Sequence, residues 1–181
     1  MEDFIVRALD SIPRRDDIEI IIVDDASTDR TVELIENYEG LDVRLVRHET
    51  NMGVSAAMND GMDLAEGEYL YELDSDDYLY TEEFEKAVDL LNGEDMVFVK
   101  ARINDGRILH QGPDNMNCAM WFKFVRRDFV GDCRRENNFY GGDREMNDHL
   151  MSMPHTEKHT DLVAYHYNFP REGSICWKMV H

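Results

Sequence analysis

Apolar residues follow two alternating spacings along the first half of the chain. Residues 4–12 carry them three or four positions apart and end at Pro13, which predicts a short amphipathic helix. Residues 18–23 are almost all β-branched, which is typical of a strand buried on both faces of a parallel sheet. Further helices are predicted at 29–39, 56–66 and 81–91, and further strands at 43–46, 69–73 and 96–99. This order predicts an α/β fold with a mostly parallel central sheet and helices on both faces.

The pattern changes after about residue 100. Asn104-Asp-Gly106 predicts a hairpin turn, and residues 161–169 predict a last strand. Residues 120–125 fit a helix, whereas residues 134–142 are polar and predict a loop. We therefore expect an antiparallel addition to the sheet in the C-terminal half.

Two of the predicted strands run directly into acidic residues. These acids are Asp24, Asp25, Asp74, Asp76 and Asp77. If the two strands are neighbours in a parallel sheet, the acids share the crevice at the carboxyl ends where open α/β sheets bind ligands. Three carboxylates within four residues repel one another unless they share a cation, and oxygen-only ligands suit Mg²⁺ or Mn²⁺. The alternative is a solvated acidic turn without a bound ion.

Composition narrows the range of partners. The 181 residues, 43% of them hydrophobic, suffice for one well-cored domain. A net charge of -20 argues against nucleic-acid or anionic-membrane binding, so an anionic substrate would need a metal intermediary. No apolar run approaches the roughly 20 residues of a membrane span, and a signal-peptide pattern is absent. Cys118, Cys133 and Cys176 lack metal-ligand spacing, so we expect free thiols in a soluble, cytoplasmic protein.

Four motifs follow one another in the first half of the chain. They are Asp24-Asp25-Ala-Ser-Thr-Asp29-Arg-Thr31, Asn51-Met-Gly53-Val-Ser55-Ala-Ala-Met-Asn59-Asp-Gly61, Ala65-Glu-Gly67-Glu-Tyr69 and Asp74-Ser-Asp76-Asp77. In this order and at these intervals they resemble the family 2 glycosyltransferases of the GT-A fold. Residues 121–127, 141–143 and 165–175 resemble the acceptor-side segments of that family, so the resemblance covers nearly the whole chain.

The resemblance implies a metal-dependent, inverting glycosyltransferase. It implies transfer of a sugar from a nucleotide-diphosphate donor, UDP-linked by family habit, to a hydroxyl of a glycan or lipid-linked acceptor. The chain would then be a single domain over residues 1–181. About 1–100 would form the nucleotide-sugar-binding half, and about 101–181 the acceptor-side half.

The resemblance also assigns roles to the acidic residues. Asp25 would recognise the nucleotide base, with Asp24 and Asn59 also in the donor site. Asp74 would contact the ribose, and Asp76 would ligate Mn²⁺ or Mg²⁺. Asp74 and Asp77 could share the metal, which neutralises the leaving diphosphate as a Lewis acid.

Asp143 occupies the position of the catalytic base in this family. Such a base takes the proton from the attacking hydroxyl on the side of the sugar opposite the leaving group. Taken alone, an acid in a glycine-rich loop is more often structural or solvated. Two residues depart from the family pattern. Gly142 replaces an acid that commonly precedes the base, and Met58 replaces an arginine before Asn59, which removes a possible phosphate contact.

Family 2 transferases usually begin with a strand that ends in a Pro-x-Tyr-Asn-like turn. The sequence begins at the helix that follows this strand in the family. The strand would pair beside residues 18–23, so we expect an open sheet edge there. We expect upstream residues, another segment or self-association with a second chain to fill that edge, and weak nucleotide binding by the 181 residues alone.

Two other classes of protein share parts of the pattern. A receiver domain of a signalling pair also has a strand that ends in two acids and binds Mg²⁺. That domain places the strand first, however, and has no use for residues 74–77. A non-catalytic relic of a transferase that binds nucleotide or carbohydrate is the stronger alternative, and a turnover assay separates it from an enzyme.

Two smaller groups of residues have a functional and a structural interpretation. His155 and His159 could bind a metal from one helix face, although a solvated turn is the commoner outcome. Trp121, Phe122 and Phe124 could line an acceptor pocket, although packing in the core is commoner.

Overall fold

The computed structural model describes residues 1–111, 119–136 and 142–172. Several features noted in the sequence lie outside these ranges. They are Cys118, Gly141, Gly173-Ser174-Ile175 and Cys176.

Helices and strands alternate through the first half of the chain, as the apolar spacing predicts. The helices are α1 (Ile5–Ser11), α2 (Thr31–Glu36), α3 (Val54–Leu64), α4 (Thr81–Asp89), α5 (Arg127–Val130) and α6 (Asp143–Ser152). The strands are β1 (Ile20–Asp24), β2 (Val43–Arg47), β3 (Tyr69–Leu70), β4 (Tyr78–Leu79), β5 (Met96–Ile103), β6 (Ile108–Leu109), β7 (Lys123–Arg126) and β8 (Glu157–Tyr167). A short 3₁₀ turn covers Met120–Phe122.

The described strands form two hydrogen-bonded sheets. In the smaller sheet, β1 and β2 are parallel. The larger sheet has the order β3-β7-β5-β8-β4, with β6 beside β5. Within it β5 and β8 are parallel, and the other pairings among the described residues are antiparallel. Parallel pairing therefore joins β1 to β2 and β5 to β8, whereas β3 and β4 of the first half already pair antiparallel with strands of the second half.

Two predicted elements take a different form in the structure. The strand predicted at 69–73 is limited to β3, which pairs antiparallel with β7 and has no ladder to β1. Beyond Leu70 the chain stays in the core without a ladder partner in the described residues, and the Tyr71 ring packs against Phe124 with the ring centroids 4.5 Å apart. The helix predicted at 120–125 is a 3₁₀ turn followed by β7. Residues 120–125 are all buried, so apolar and polar positions do not alternate with the spacing of either a helix or a strand.

Buried side chains cover both faces of β5. On one face α4 contributes Phe84 and Ala87, which pack with Val97 and Tyr165. On the other face Met146 and Leu150 of α6 pack against Met96 and Phe98. The expected helices on both faces of the central sheet are therefore present. The aromatic residues considered for an acceptor pocket, Trp121, Phe122 and Phe124, are buried in this core.

β1 and β3 each lie at the edge of a sheet. Among the described residues β1 pairs with β2 alone, and β3 pairs with β7 alone. In a parallel pair alternate residues bond to each neighbour, so half of the main-chain groups of β1 face away from β2. Within the same ranges, no helix combines the length and apolarity that crossing a membrane requires.

Candidate functional site

Residues from both ends of the chain converge on the acidic loop between β3 and β4. The main-chain oxygen of Asp76 accepts hydrogen bonds from Arg7 Nη2 at 2.6 Å and from Asn168 Nδ2 at 3.2 Å. The Asp76 carboxylate pairs with Arg171, whose Nε lies 2.8 Å from Asp76 Oδ2. A guanidinium therefore lies against the carboxylate that was predicted to ligate the metal.

Asp77 points into the protein interior. It is fully buried, and its two oxygens accept hydrogen bonds from the Tyr165 hydroxyl at 2.6 Å and from the Asn168 main-chain N–H at 2.7 Å. Burial raises the pKa of Asp77 to about 7, although both hydrogen bonds oppose the rise. Each oxygen keeps a further acceptor site, so burial of the side chain, rather than the two hydrogen bonds, separates Asp77 from a metal.

Asp74 lies among like charges. Burial, and then the charges of Asp77, Asp76 and Asp143, raise the pKa of Asp74 well above its usual value. A cation beside this carboxyl would relieve that repulsion, and its oxygen donors suit Mg²⁺ or Mn²⁺. In the ranges that the structure describes, no three His, Cys, Asp or Glu side chains already converge on one point. The donor set at Asp74 and Asp76 therefore fits a divalent cation in its chemistry, without a preformed cage.

Asp143 is the first residue of α6, and an arginine links it to Glu72 in the segment that follows β3. Arg135 Nε donates to Asp143 Oδ1 at 2.8 Å, and Arg135 Nη2 donates to Glu72 Oε1 at 2.6 Å. The Arg135 side chain is 1% exposed, against 15% for Glu72 and 36% for Asp143. Burial alone would lower the pKa of Arg135, but the two carboxylates outweigh burial and raise it. The candidate base therefore lies close to the acids of residues 72–77.

Asn59 of α3 holds the main chain of Arg135. Its Nδ2 donates to the Arg135 carbonyl oxygen, and its Oδ1 accepts from the Arg135 N–H, both at 2.9 Å. Both halves of the Asn59 amide are thereby engaged within the protein. The residue predicted for the donor site supports the candidate base in this structure.

Gly142 precedes the candidate base in a conformation that suits glycine. Its φ of +64° lies in the left-handed region. A Cβ there would lie 3.0 Å from both Arg135 Cβ and the Glu136 carbonyl oxygen. The departure from an acid at this position therefore has a structural reason in this chain.

The first acidic pair lies at the carboxyl end of β1. Asp24 is buried, and its Oδ2 accepts the Ser27 N–H at 3.2 Å. Asp25 accepts the N–H groups of Met52 at 2.7 Å and Gly53 at 2.8 Å. Ala26 follows with φ +60°, an uncommon conformation for a residue other than glycine. Local strain of this kind concentrates at functional sites.

His48 bridges two acids beside this pair. Its Nδ1 lies 2.8 Å from Asp25 Oδ1, and its Nε2 lies 2.8 Å from Asp60 Oδ2. Hydrogen bonds to Asp25 and then Asp60 raise the pKa of His48. For Asp25, burial opposes ionisation, but the bonds from Met52 and His48 outweigh it and lower the pKa.

Three other histidines, His155, His159 and His166, lie outside the acidic groups at residues 24–25 and 74–77. His166 bonds Tyr80 and Asn104 through its two ring nitrogens. His155 and His159 both approach Glu157, but His159 stacks on Phe98 within β8 rather than sharing a helix face with His155. The structure therefore shows neither a helical metal pair nor a solvated turn: the His155 side chain is 14% exposed, and His159 belongs to β8.

Sequence reasoning missed the residues that organise the site. Glu72 offers a signal, because a lone acid within the apolar run 69–73 needs a buried partner. Arg135 is separated from Glu72 by 63 positions and stands in a polar segment, so nothing local marks it as that partner. His48 likewise follows a strand without a recognisable motif.

The fold is that of solved glycosyltransferases. The crystal structure of S. aureus TarS in complex with UDP-GlcNAc matches with a TM-score of 0.84 at 23% identity, covering 96% of this chain and 56% of that chain. Mannosyltransferase PcManGT from Pyrobaculum calidifontis, in complex with GDP-Man and Mn²⁺, matches with a TM-score of 0.74 at 18% identity, covering 99% of this chain and 57% of that chain. The predicted GT-A-like α/β fold is confirmed.

The chain belongs to Glycosyl transferase family 2, whose family model matches residues 2–150. EpsJ of Bacillus subtilis (strain 168), an uncharacterized glycosyltransferase, is 40% identical over 89 residues, which cover 48% of this chain and 26% of EpsJ. The match thus spans about a quarter of that relative. The predicted family is confirmed.

Proposed function

We propose that the chain catalyses metal-dependent, inverting transfer of a sugar from a UDP-linked donor to a hydroxyl of a glycan or lipid-linked acceptor. Membership of the glycosyltransferase family supports the reaction class. The UDP-GlcNAc in the TarS structure supports a UDP-linked donor, and the Mn²⁺ in the PcManGT structure supports metal dependence.

One observation carries this proposal: Arg135 joins Asp143 to Glu72, which stands two positions before Asp74 in the chain. A base and a group of oxygen donors are thus present in one site, although they are far apart in sequence. An inverting transfer requires both functions, on opposite sides of the reacting sugar carbon.

In the proposed reaction Asp143 takes the proton of the acceptor hydroxyl. The acceptor oxygen forms a bond to the anomeric carbon, while the bond from that carbon to the diphosphate breaks and its electron pair leaves with the nucleotide. A bound Mn²⁺ or Mg²⁺ would neutralise the charge of the leaving diphosphate. Asp76 and Asp74 would hold the cation, with Asp77 as the remaining candidate ligand.

The donor site proposed for the nucleotide lies at Asp24 and Asp25. The bonds from Met52 and Gly53 fix the Asp25 carboxylate, which we assign to the base, while Asp74 would contact the ribose. Asn59, which the resemblance places in the donor site, would instead act on the candidate base, by fixing the Arg135 main chain.

We also propose a cytoplasmic location without a nucleic-acid partner. The net charge of -20 and the free thiol of Cys133 support this assignment. Self-association at the open edge of β1 stays a prediction.

A screen of nucleotide sugars tests the proposed function. The chain would be incubated with UDP-GlcNAc, UDP-glucose, UDP-galactose and GDP-mannose, with and without Mn²⁺. Hydrolysis of each donor would be measured as the nucleoside diphosphate released. Melting curves under the same conditions report binding. We expect one UDP-sugar to be both stabilising and hydrolysed, and only with the metal.

The alternative is a non-catalytic nucleotide- or carbohydrate-binding relic of a transferase. Two observations favour it: the amide of Asn59 is already occupied by Arg135, and Asp76 is already paired with Arg171. A melting temperature raised by UDP or a UDP-sugar, together with no nucleotide release from any donor, would show that the chain binds nucleotide without catalysing transfer.

A further inference from the structure

Arg135 is a buried cation enclosed by two acids. With 1% of its side chain exposed, its guanidinium has little access to water. A buried charge is tolerated when it is paired and its donors are satisfied. Glu72 and Asp143 provide that pairing from opposite parts of the chain, one beside β3 and the other at the start of α6.

Residues other than Asp143 also hold Arg135 in place. Asn59 fixes its main chain through two hydrogen bonds, and Glu72 accepts from its Nη2. Gly142 adds room, because any side chain at that position would press on Arg135 Cβ. The guanidinium is therefore anchored before it meets the candidate base.

Asp143 differs from its neighbours in this network by its exposure. Its side chain is 36% exposed, so a substrate can reach it, and one of its oxygens is held by Arg135 Nε. A short carboxylate at the first turn of a helix would otherwise sample several rotamers. Displacement of a reacting group by about 1 Å can cost about 100-fold in rate.

We propose that Arg135 is a positioning residue for the transfer reaction, holding one oxygen of Asp143 while Glu72 balances the remaining charge and Asn59 fixes the main chain. This inference rests on the proposed function, because Asp143 has a base to provide only in that reaction. Arg135 acts through Asp143 and touches no substrate itself.

The test must separate positioning from stability. Removal of Arg135 alone leaves Glu72 buried without a partner, so the single variant can fail by unfolding. The double variant Glu72→Gln/Arg135→Gln removes both charges and leaves two amides that can bond to each other. Arg134→Gln is the matched control, because Arg134 is adjacent but pairs with Asp63 at the surface.

The assay follows nucleotide release with Mn²⁺ and the most active donor among UDP-GlcNAc, UDP-glucose, UDP-galactose and GDP-mannose. For the double variant we expect a melting temperature near that of the wild type, a donor KM within about twofold, and a kcat at least about tenfold lower. Arg135→Lys keeps the charge but loses the planar guanidinium with its several N–H donors. We therefore expect its kcat to lie between that of the wild type and that of the double variant. A double variant with wild-type kcat, or an equal loss in Arg134→Gln, would overturn the proposal.

A cycle with Asp143→Asn decides the route of the effect. If Arg135 acts through Asp143, the double variant has little further effect on kcat in the Asp143→Asn background. A further loss by the same factor in that background would overturn the positioning role. Wild-type chain that releases no nucleotide from any donor would overturn the proposed function itself, and the inference with it.

Discussion

Substitution of Gly142 by alanine tests the close approach on which the candidate base depends. The residue has φ +64°, and the left-handed region costs an L side chain about 1–2 kcal/mol. The new Cβ would also lie 3.0 Å from Arg135 Cβ and the Glu136 oxygen, and such overpacking typically costs about 1–3 kcal/mol. We therefore expect Gly142→Ala to lower the free energy of unfolding by about 2–5 kcal/mol.

Gly93→Ala is the matched control for the conformational part. Gly93 has φ +89°, but a Cβ at that position would meet nothing within 4 Å, so this substitution carries the strain without the contact. The gain from restricting the unfolded chain is similar for both substitutions and cancels in the comparison. The difference between the two variants isolates the contact, at about 1–3 kcal/mol.

Thermal and urea unfolding measure this difference. For a chain of 181 residues each kcal/mol shifts the melting temperature by about 2–4 °C, so Gly142→Ala should melt about 2–12 °C below Gly93→Ala. Equal melting temperatures would refute the reasoning. They would mean that the main chain around Arg135 yields to a methyl group and does not fix the guanidinium.

Three further substitutions test single roles. Asp76→Ala should abolish Mn²⁺-dependent UDP binding in calorimetry and keep the fold, because it relieves repulsion among crowded acids; an unchanged affinity would contradict the metal role. Asp143→Asn should keep donor affinity and lower turnover about 100-fold or more, and normal turnover would place the base elsewhere. The pKa of His48 is raised, so its bridge from Asp25 to Asp60 stabilises the fold fully below about pH 6.5 and is lost as pH rises through the folded pKa. In urea unfolding, the stability difference between wild type and His48→Ala should therefore shrink from pH 6 towards pH 9 by about 1–3 kcal/mol, and a difference that grows with pH would contradict this.

The sequence predicts local elements well where the apolar period is unambiguous. The β-branched run that contains β1 and the spaced apolar residues of α4 form the predicted elements. The strand around Leu70 is shorter than its composition suggests: the ladder to β7 covers only Tyr69 and Leu70, although Tyr71 still packs in the core against Phe124. Tertiary packing decides such cases, and it is not encoded in the residues of the strand alone.

The candidate site is predicted only in part. The acids at 24–25 and 74–77 are visible as clusters after strands, and Asp143 is visible through the family resemblance. The helix α6 escapes notice because polar residues surround its two buried apolar residues, Met146 and Leu150, although their four-residue spacing is a helical signal. The contacts of Arg135 could not be predicted, because its partners are brought together only by the complete fold.

Asn59 and Asp60 are consecutive residues of α3, about 100° apart around the helix axis. One anchors the segment that carries Arg135, and the other anchors His48 beside Asp25. With the roles proposed for Asp25 and Asp143, donor preference and turnover would both depend on the placement of α3. A substitution near Asp25 that rotates or shifts α3 would also move the residues that support Asp143. Libraries aimed at new donors should therefore keep Asn59 and Asp60 constant.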